Sequence, residues 1–175
     1  CPMSVNNYNN NIISTLLSNS LAVKNALDLA LHYKSKFLHF SSSVVYGPRK
    51  NENSKLKESE TANLDFLSSR SAYDEGKRFA ETMVVNYQRE TGINAKIVRL
   101  FRVYGPRIPL NDGQMIPDFI DNALYNENLI IYGDQNFSSS FCSNSADIGI
   151  VLNELSKSLI SVGIGSGASF IFPLF

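Results

Sequence analysis

The chain has 175 residues, of which 43% are hydrophobic and 18% charged, and its 16 Lys and Arg residues balance 16 Asp and Glu residues. These values are ordinary for a globular protein with one sizeable core, and they do not indicate a nucleic-acid or anionic-membrane partner. No apolar run has the length of a transmembrane helix, and the two cysteines, Cys1 and Cys142, form neither a metal-ligand spacing nor a CxxC pair. We therefore expect a cytoplasmic protein without a metal site.

The first predicted element is an amphipathic helix from Ile12 to about Tyr33, because apolar side chains recur there at helical spacing. A buried strand is predicted next, over Lys36–Val45, and it ends in hydroxyl side chains. A Gly-Pro pair breaks this strand, and the polar segment "RKNENSKLKESE" after it is predicted to be a surface loop.

A second long helix is predicted from about Ser71 to Thr91, with Ser71 as its N-cap and Gly92 as its C-terminal stop. A second buried strand, over Asn94–Phe101, follows it, and a loop rich in Gly and Pro comes next. The remaining predicted elements are a third helix at about Gln114–Asn126, a short strand "LIIYG" at Leu129–Gly133, and a helix from Asp147 to about Lys157.

The alternation of helices and strands predicts an α/β fold with a parallel sheet. In such sheets ligands bind at the carboxyl ends of the strands. The first predicted strand carries Ser41, Ser42 and Ser43 at that end, and the second leads into "RVYGPR". This polar edge is where we expect the functional site.

Tyr73 and Lys77 are four residues apart on the second long helix, so their side chains share one helix face. We expect them to project away from the apolar face that includes Phe79 and Val84. A nearby ammonium favours the phenolate and lowers the pKa of a tyrosine from its usual value of about 10, so the phenol can exchange a proton with an alcohol. The alternative is a half-buried tyrosine beside a solvated surface lysine, since YxxxK also arises by chance.

The ordered segments "SSSVVYG", "SAYDEGKRFAET", "RLFRVYGPR", "NDGQMIPDFIDNAL" and "LIIYGD" resemble the extended short-chain dehydrogenase/reductase family, which is the NAD-dependent epimerase/dehydratase family. The resemblance covers about residues 1 to 147 and is strongest to UDP-glucuronate decarboxylases. It implies a Rossmann-type doubly wound parallel sheet, NAD as cofactor, a nucleotide sugar (most often a UDP-sugar) as substrate, and a homodimer.

The resemblance also implies residue roles. Tyr73 matches the catalytic base, Lys77 matches the lysine that lowers the pKa of that tyrosine and holds the nicotinamide ribose, and Ser42 matches the hydroxyl that bonds the reacting oxygen of the sugar. Further contacts implied in this way are Ser41 to the cofactor and Ser43, Arg102, Arg107 and Tyr132 to the substrate.

Three positions depart from the family pattern. Val44 stands where decarboxylases and 4,6-dehydratases usually have Glu, Arg102 stands where "RxFNxYGP" has Asn, and serine near Ser139 replaces an arginine that helps hold the UDP phosphates. A decarboxylase-like enzyme is our first expectation. The alternatives are a 4-epimerase, which needs only the tyrosine and the Ser/Thr hydroxyl, a dehydratase, and a non-catalytic relative that serves as a binding module.

No glycine-rich turn precedes a helix in this sequence, although such a turn is needed to hold a dinucleotide pyrophosphate. The glycines of 163–167 lie near the other end of the chain, and no convincing helix follows them. We therefore expect residues 1–107 to be the C-terminal part of an NAD-binding Rossmann domain and 108–175 to be part of a substrate-binding region. We also expect an internal fragment that binds NAD weakly or not at all and has an apolar sheet edge without a partner strand.

Overall fold

The computed structural model describes residues 10–48, 56–60, 63–110, 113–131, 141–143, 162–163 and 169–172. Its helices and strands, in chain order, are α1 (Ile12–Asn19), α2 (Leu21–His32), β1 (Lys36–Ser42), a 3₁₀ turn (Ser43–Tyr46), α3 (Ser71–Thr91), β2 (Ala95–Leu100), β3 (Arg102–Tyr104), α4 (Met115–Leu124), β4 (Phe141–Ser143), β5 (Val162–Gly163) and β6 (Ser169–Phe172).

The main sheet has the strand order β2-β1-β6-β5. Strands β1 and β2 are parallel, with Phe37 opposite Ala95 and Ser42 opposite Leu100, so both strands end at the same edge of the sheet. The predicted α/β fold with a parallel pair of strands is confirmed. A separate two-stranded parallel sheet joins β3 and β4.

The hydrophobic core lies between this sheet and the helices α2 and α3. Leu27, Phe37, Ala80 and Val84 are almost completely buried there. Burying a Leu, Phe or Val side chain contributes about 1.5–3 kcal/mol. The core therefore fixes α3 against β1, and that contact positions the site described below.

The predicted single helix over residues 12–33 is wrong, because two helices are present and the chain leaves helical geometry at Ser20 (φ −114°, ψ −80°). In α1 the buried residues are Thr15 and Asn19, whereas Ile13 and Leu17 are exposed. The apolar side chains of α1, which suggested a helix facing the core, are therefore mostly exposed on the surface of this chain.

The bounds predicted for α3 are confirmed, and Gly92 ends the helix in the left-handed conformation (φ 72°) that glycine adopts without strain. Ser71 is the first helical residue and Arg70 occupies the N-cap position without a capping side-chain bond, so the predicted cap is wrong. The predicted face is wrong as well, because Lys77 is buried and Phe79 is exposed.

Strand β1 ends at Ser42, three residues earlier than predicted. The backbone N–H of Val44 donates to Ser42 Oγ (3.4 Å), and the chain turns into the 3₁₀ segment. Serine hydroxyls commonly divert a backbone in this way. The turn brings Ser43 and Val44 to the edge of the sheet where β1 and β2 end.

The expected open edge of β1 is wrong, because β6 pairs with it in antiparallel orientation, Phe37 opposite Ile171. The unpaired N–H and C=O groups of a strand edge are satisfied by any extended segment that reaches them, in either orientation. Strands β5 and β6 come from the predicted substrate-binding region, so the division at residue 107 does not separate them from this sheet. The domain boundary itself stays a prediction.

Helix α4 is confirmed within two residues at each end. Leu129–Ile131 form no strand, and the rest of the predicted "LIIYG" strand and the helix predicted over 147–157 lie outside the described residues. Among the helices that the structure describes, none is both long and apolar enough to cross a membrane.

Candidate active site

A cavity of about 240 Å³ opens at the edge where β1 and β2 end. Its lining comes from the end of β1 and the 3₁₀ turn, from the start of α3, from the segment after β2 and from the start of α4. The polar or functionally predicted residues among the lining are Ser42, Ser43, Val44, Arg70, Tyr73, Arg102 and Gln114.

Ser42 and Tyr73 line this one cavity although they are 31 positions apart in the sequence. Ser42 is the last residue of β1, and Tyr73 lies in the first turn of α3, where its N–H donates to the carbonyl of Arg70 (3.0 Å). A hydroxyl and a phenol that open into the same space can both reach one bound alcohol, which is the arrangement that proton transfer requires.

Lys77 lies beneath Tyr73 and is 5% exposed. Its Nζ donates to the carbonyl oxygen of Phe40 in β1 (3.1 Å) and is 5.9 Å from the centre of the Tyr73 ring. Burial lowers the pKa of Lys77 to about 8, and the charge of Glu81 opposes that shift. The alternative of a solvated surface lysine is therefore wrong, but Lys77 is also not among the residues that line the cavity.

A second charged group, which the sequence analysis missed, lies one turn further along α3. The Glu81 carboxylate accepts from Arg99 Nε at 2.9 Å and from Arg99 Nη2 at 2.8 Å, in a bidentate ion pair between α3 and β2. Burial raises the pKa of the Glu81 carboxyl, but the hydrogen bonds and the charge of Arg99 outweigh it and lower that pKa overall. The spacing Tyr73, Lys77, Glu81 was the available signal.

Ser41 and His39 are buried on β1. Ser41 lies beside Glu81 and is not among the residues that line the cavity, so its predicted contact with a cofactor stays a prediction. His39 stacks on Phe37, with ring centres 6.5 Å apart. Burial, assisted by the charge of Lys77, lowers the pKa of His39 to about 4, so this imidazole is neutral near pH 7.

The structure places some of the predicted substrate-binding residues in the cavity wall and others elsewhere. Ser43 and Arg102 line the cavity, whereas Arg107 lies in the turn after β3 with φ 70° and is not among the lining residues. Tyr132 and Ser139 lie outside the described residues. The roles assigned to all of these residues stay predictions.

Arg70 was also missed by the sequence analysis. It lines the cavity immediately before α3, and its Nη2 lies 3.7 Å from a carboxylate oxygen of Asp74. Burial raises the pKa of Asp74, and the Arg70 charge opposes that shift. Arg70 and Arg102 together give the cavity two guanidinium groups, which are suited to bind a carboxylate or a phosphate.

The sequence profile of the NAD dependent epimerase/dehydratase family matches residues 3–143. The chain belongs to this family. Three similar proteins have stated activities. UDP-glucuronic acid decarboxylase 1 of Arabidopsis thaliana is 37% identical over 142 residues, which is 81% of this chain and 32% of the relative. The chain therefore spans about a third of the length of that relative.

Two solved structures have a similar fold. UDP-glucuronic acid 4-epimerase from Bacillus cereus, in complex with UDP-glucuronic acid and NAD, is 26% identical with a TM-score of 0.66, over 79% of this chain and 42% of the other. UDP-N-acetylglucosamine 4-epimerase from Methanobrevibacter ruminantium M1, in complex with UDP-N-acetylmuramic acid, is 29% identical with a TM-score of 0.58, over 77% and 42%. The Rossmann-type α/β fold is therefore confirmed.

The family is NAD-dependent, and the described residues fit one end of that cofactor. The phenol of Tyr73, the hydroxyl of Ser42 and the buried ammonium of Lys77 cluster at the carboxyl end of β1, where α/β sheets bind such ligands. At about 240 Å³ the cavity is smaller than the roughly 300–1,000 Å³ of pockets that enclose a whole small molecule. These residues can therefore surround a sugar ring or a nicotinamide but not a complete nucleotide.

Proposed function

We propose that the protein carrying this chain modifies a nucleotide sugar with NAD through a 4-keto sugar, and that its substrate is UDP-glucuronate and its net reaction decarboxylation. The observation that carries the proposal is the cavity shared by Ser42 and Tyr73, with the Lys77 ammonium beneath the phenol. The 37% identity to a UDP-glucuronic acid decarboxylase supports the choice of substrate and reaction.

In this proposal Tyr73 takes the proton from the C4 hydroxyl of the sugar. Ser42 hydrogen-bonds the same oxygen and holds it against the phenol. Lys77 is too deeply buried to exchange freely with solvent, and its charge favours the phenolate form of Tyr73. When bound, NAD supplies the hydride acceptor for the carbon that bears this hydroxyl.

The carboxylate of the substrate would be held by the two guanidinium groups in the cavity wall, Arg70 and Arg102. A 4-keto sugar with a carboxylate on C5 is a β-keto acid, which loses CO2 to leave an enolate. The enolate would take a proton at C5, and C4 would then take back the hydride while Tyr73 returns the proton to its oxygen. Val44 has no proton-transferring group, so in this reaction the proton for C5 would come from water in the cavity. The proposed enzyme is therefore a lyase.

A 4-epimerase, which is an isomerase, is the second candidate. Two observations favour it, namely the similarity to a UDP-glucuronic acid 4-epimerase and the valine at position 44. Epimerisation requires oxidation and re-reduction at C4, in which the hydride would pass to NAD and back while Ser42, Tyr73 and Lys77 handle the proton. Both candidates use the same first step and differ in what happens to the keto sugar.

A homodimer in the cytoplasm is also part of the proposal. Ile13 and Leu17 of α1 and Phe79 of α3 are exposed apolar side chains on two helices that contact each other, and a second copy can cover them. Burial of such side chains is the usual source of stability in homodimers. Sedimentation of the complete protein would give the mass of a dimer, and a monomer would contradict this part of the proposal.

The proposed function is tested by incubating the complete protein with NAD and UDP-glucuronic acid and identifying the product by mass spectrometry and NMR. Parallel reactions contain UDP-glucose, UDP-N-acetylglucosamine or dTDP-glucose. A UDP-pentose and released CO2 would support the decarboxylase, and UDP-galacturonic acid would support the epimerase. If none of these nucleotide sugars changes, the proposed function is wrong.

A further inference from the structure

Glu81 lies four residues after Lys77 on α3, as Lys77 lies four residues after Tyr73. Side chains at this spacing share one helix face. Lys77 is 5% exposed and the Glu81 side chain is 12% exposed, so both charges lie largely out of water, at the junction of α3 with the sheet. A buried ammonium needs a compensating charge or several hydrogen bonds to stay protonated.

The hydrogen bonds of Lys77 do not supply that compensation by themselves. Its Nζ donates to the Phe40 carbonyl, a neutral acceptor, and among the described residues no carboxylate lies within ion-pairing distance of it. The negative charge that acts on Lys77 is the carboxylate of Glu81, one turn further along the helix. The electrostatic environment of Lys77 therefore depends on where that carboxylate is held.

Arg99 holds the Glu81 carboxylate through its bidentate ion pair from β2. The same guanidinium donates from Nη1 to the carbonyl of Glu58 (2.9 Å) and lies over the Tyr46 ring, 4.7 Å from its centre. Arg99 is thus held by contacts to two further segments besides α3, and a planar guanidinium held in this way leaves a carboxylate little freedom. Glu81 cannot swing toward solvent without breaking these bonds.

We propose that Glu81 is a positioning residue for Lys77: clamped by Arg99, its carboxylate is the countercharge that keeps the Lys77 ammonium protonated next to Tyr73. This inference rests on the proposed function, since it gives a reason why the lysine beside the catalytic tyrosine stays charged. Glu81 itself does not line the cavity that holds Ser42 and Tyr73.

The other groups that face Lys77 do not provide the same charge. From β1, His39 is neutral near pH 7 because burial lowers its pKa to about 4. From α3, Tyr73 is the group on which Lys77 acts. From β2, Arg99 is a cation whose charge is neutralised by Glu81. Without Glu81, the Arg99 charge would oppose protonation of Lys77. Removing the Glu81 charge therefore both takes away the anion and uncovers a cation.

The test measures the titration of Lys77 directly, by NMR of the protein labelled with ¹³C at lysine Cε, with the Lys77 signal identified by its loss in Lys77→Met. Glu81→Gln keeps the shape of the side chain and removes its charge. We expect the midpoint of Lys77 to fall by roughly one pH unit in this variant, the size of effect that one nearby charge has on a buried group. Glu75→Gln is the matched control, because Glu75 is a more exposed acid on the same helix, and it should leave the midpoint unchanged.

An unchanged Lys77 midpoint in folded Glu81→Gln would overturn the proposal. The double variant Glu81→Gln/Arg99→Gln is the second test. It removes both charges of the ion pair, so the Arg99 cation is not left without its carboxylate, and it keeps the proposal testable if Glu81→Gln alone unfolds. Its midpoint should lie between those of the wild type and Glu81→Gln. Equal midpoints in the single and double variants would indicate packing and would also overturn the proposal.

A second measurement links the inference to turnover. In the complete protein, the alkaline limb of the pH–rate profile should move to lower pH in Glu81→Gln by the same amount as the Lys77 midpoint, and an unmoved limb would contradict the positioning role. If no nucleotide sugar is turned over, the proposed function fails while the NMR titration still decides the inference about Glu81.

Discussion

The Nζ of Lys77 lies 3.1 Å from the carbonyl oxygen of Phe40, so the helix that carries Tyr73 is joined to the strand that ends at Ser42. This bond, together with the core around Phe37, Ala80 and Val84, fixes the first turn of α3 relative to the end of β1. The cavity that Ser42 and Tyr73 share is therefore a consequence of how α3 packs on the sheet. The predictions below test the chemistry of that cavity and the packing that forms it.

Replacing Tyr73 by Phe should lower turnover of the complete protein by roughly 10²–10⁴-fold, which is the range that general acid–base catalysis provides. The change removes one hydroxyl and keeps the ring, so circular dichroism and thermal unfolding should be unchanged. Tyr87→Phe is the matched control, because Tyr87 lies on the same helix and its hydroxyl donates to Asp28 instead (2.8 Å). Wild-type turnover in Tyr73→Phe would exclude Tyr73 as the base.

The valine at position 44 should prevent elimination of water from the keto sugar. Val44 lines the cavity and cannot move a proton, whereas a 4,6-dehydratase needs an acid or base near C5 and C6. We expect no 4-keto-6-deoxy product from UDP-glucose or dTDP-glucose in a mass-spectrometric assay in which UDP-glucuronic acid is converted. Detection of that product would show that another residue performs the proton transfer.

The burial of His39 should make the protein lose stability as the pH falls. Its pKa is lowered from 6.5 to about 4 in the folded state, so the unfolded chain binds an additional proton between these values. The resulting contribution to the free energy of unfolding, on the order of 3 kcal/mol, is fully present above pH 6.5. It is lost as the pH falls through about 4. Urea unfolding at several pH values should show that the free energy of unfolding falls less steeply below pH 6.5 in His39→Gln than in the wild type.

His32→Gln is the control for that experiment, because His32 is the other histidine of the chain and its side chain is exposed. It should reproduce the acid limb of the wild type. Equal slopes for the wild type and His39→Gln between pH 6.5 and 4 would mean that His39 accepts a proton in the folded protein.

The close contact between α1 and α3 depends on Gly76. A Cβ at this position would lie 3.1 Å from both the Cβ and Nδ2 of Asn19, and Asn19 is buried with its amide bonded to the Thr15 carbonyl (3.0 Å). Alanine improves helix propensity by about 1 kcal/mol over glycine, but we expect the clash to outweigh this gain, so Gly76→Ala should unfold at lower urea concentration.

The double variant Gly76→Ala/Asn19→Gly tests the reason for that loss. Removing the Asn19 side chain should allow the helix-propensity gain to appear, so the double variant should be more stable than Asn19→Gly alone. If Gly76→Ala destabilises both backgrounds equally, the contact with Asn19 is not the cause.

The bounds of α3 were predicted correctly because Gly92 supplies the left-handed residue that ends it. Its N-cap and its buried face were not, since Arg70 precedes the helix without a capping bond and the buried side includes Lys77. The break at Ser20 has no such signal, since Leu16, Leu17 and Leu21 continue the helical pattern across it. The end of β1 was misplaced because the bond between Ser42 and the N–H of Val44 competes with the ladder, and apolar Val44 and Val45 look like strand.

Ser42, Tyr73 and Lys77 could be selected from the sequence because their family motifs are local. The ion pair of Glu81 and Arg99 could not, since its partners are 18 residues apart on different elements and charged residues of either type are common on surfaces. The antiparallel pairing of β6 was also unpredictable, because strand edges accept partners from any distance along the chain.

The central claim is that the reaction begins with removal of hydrogen from C4 of the sugar while Tyr73 takes the proton of its hydroxyl. The most direct measurement is the turnover of the complete protein with NAD and UDP-glucuronic acid that carries deuterium at C4, compared with the unlabelled sugar under single-turnover conditions. The account predicts slower turnover of the deuterated sugar in the wild type, and turnover of both sugars lowered by roughly 10²–10⁴-fold in Tyr73→Phe. Equal rates for the two sugars in the wild type, with wild-type turnover in Tyr73→Phe, would contradict it.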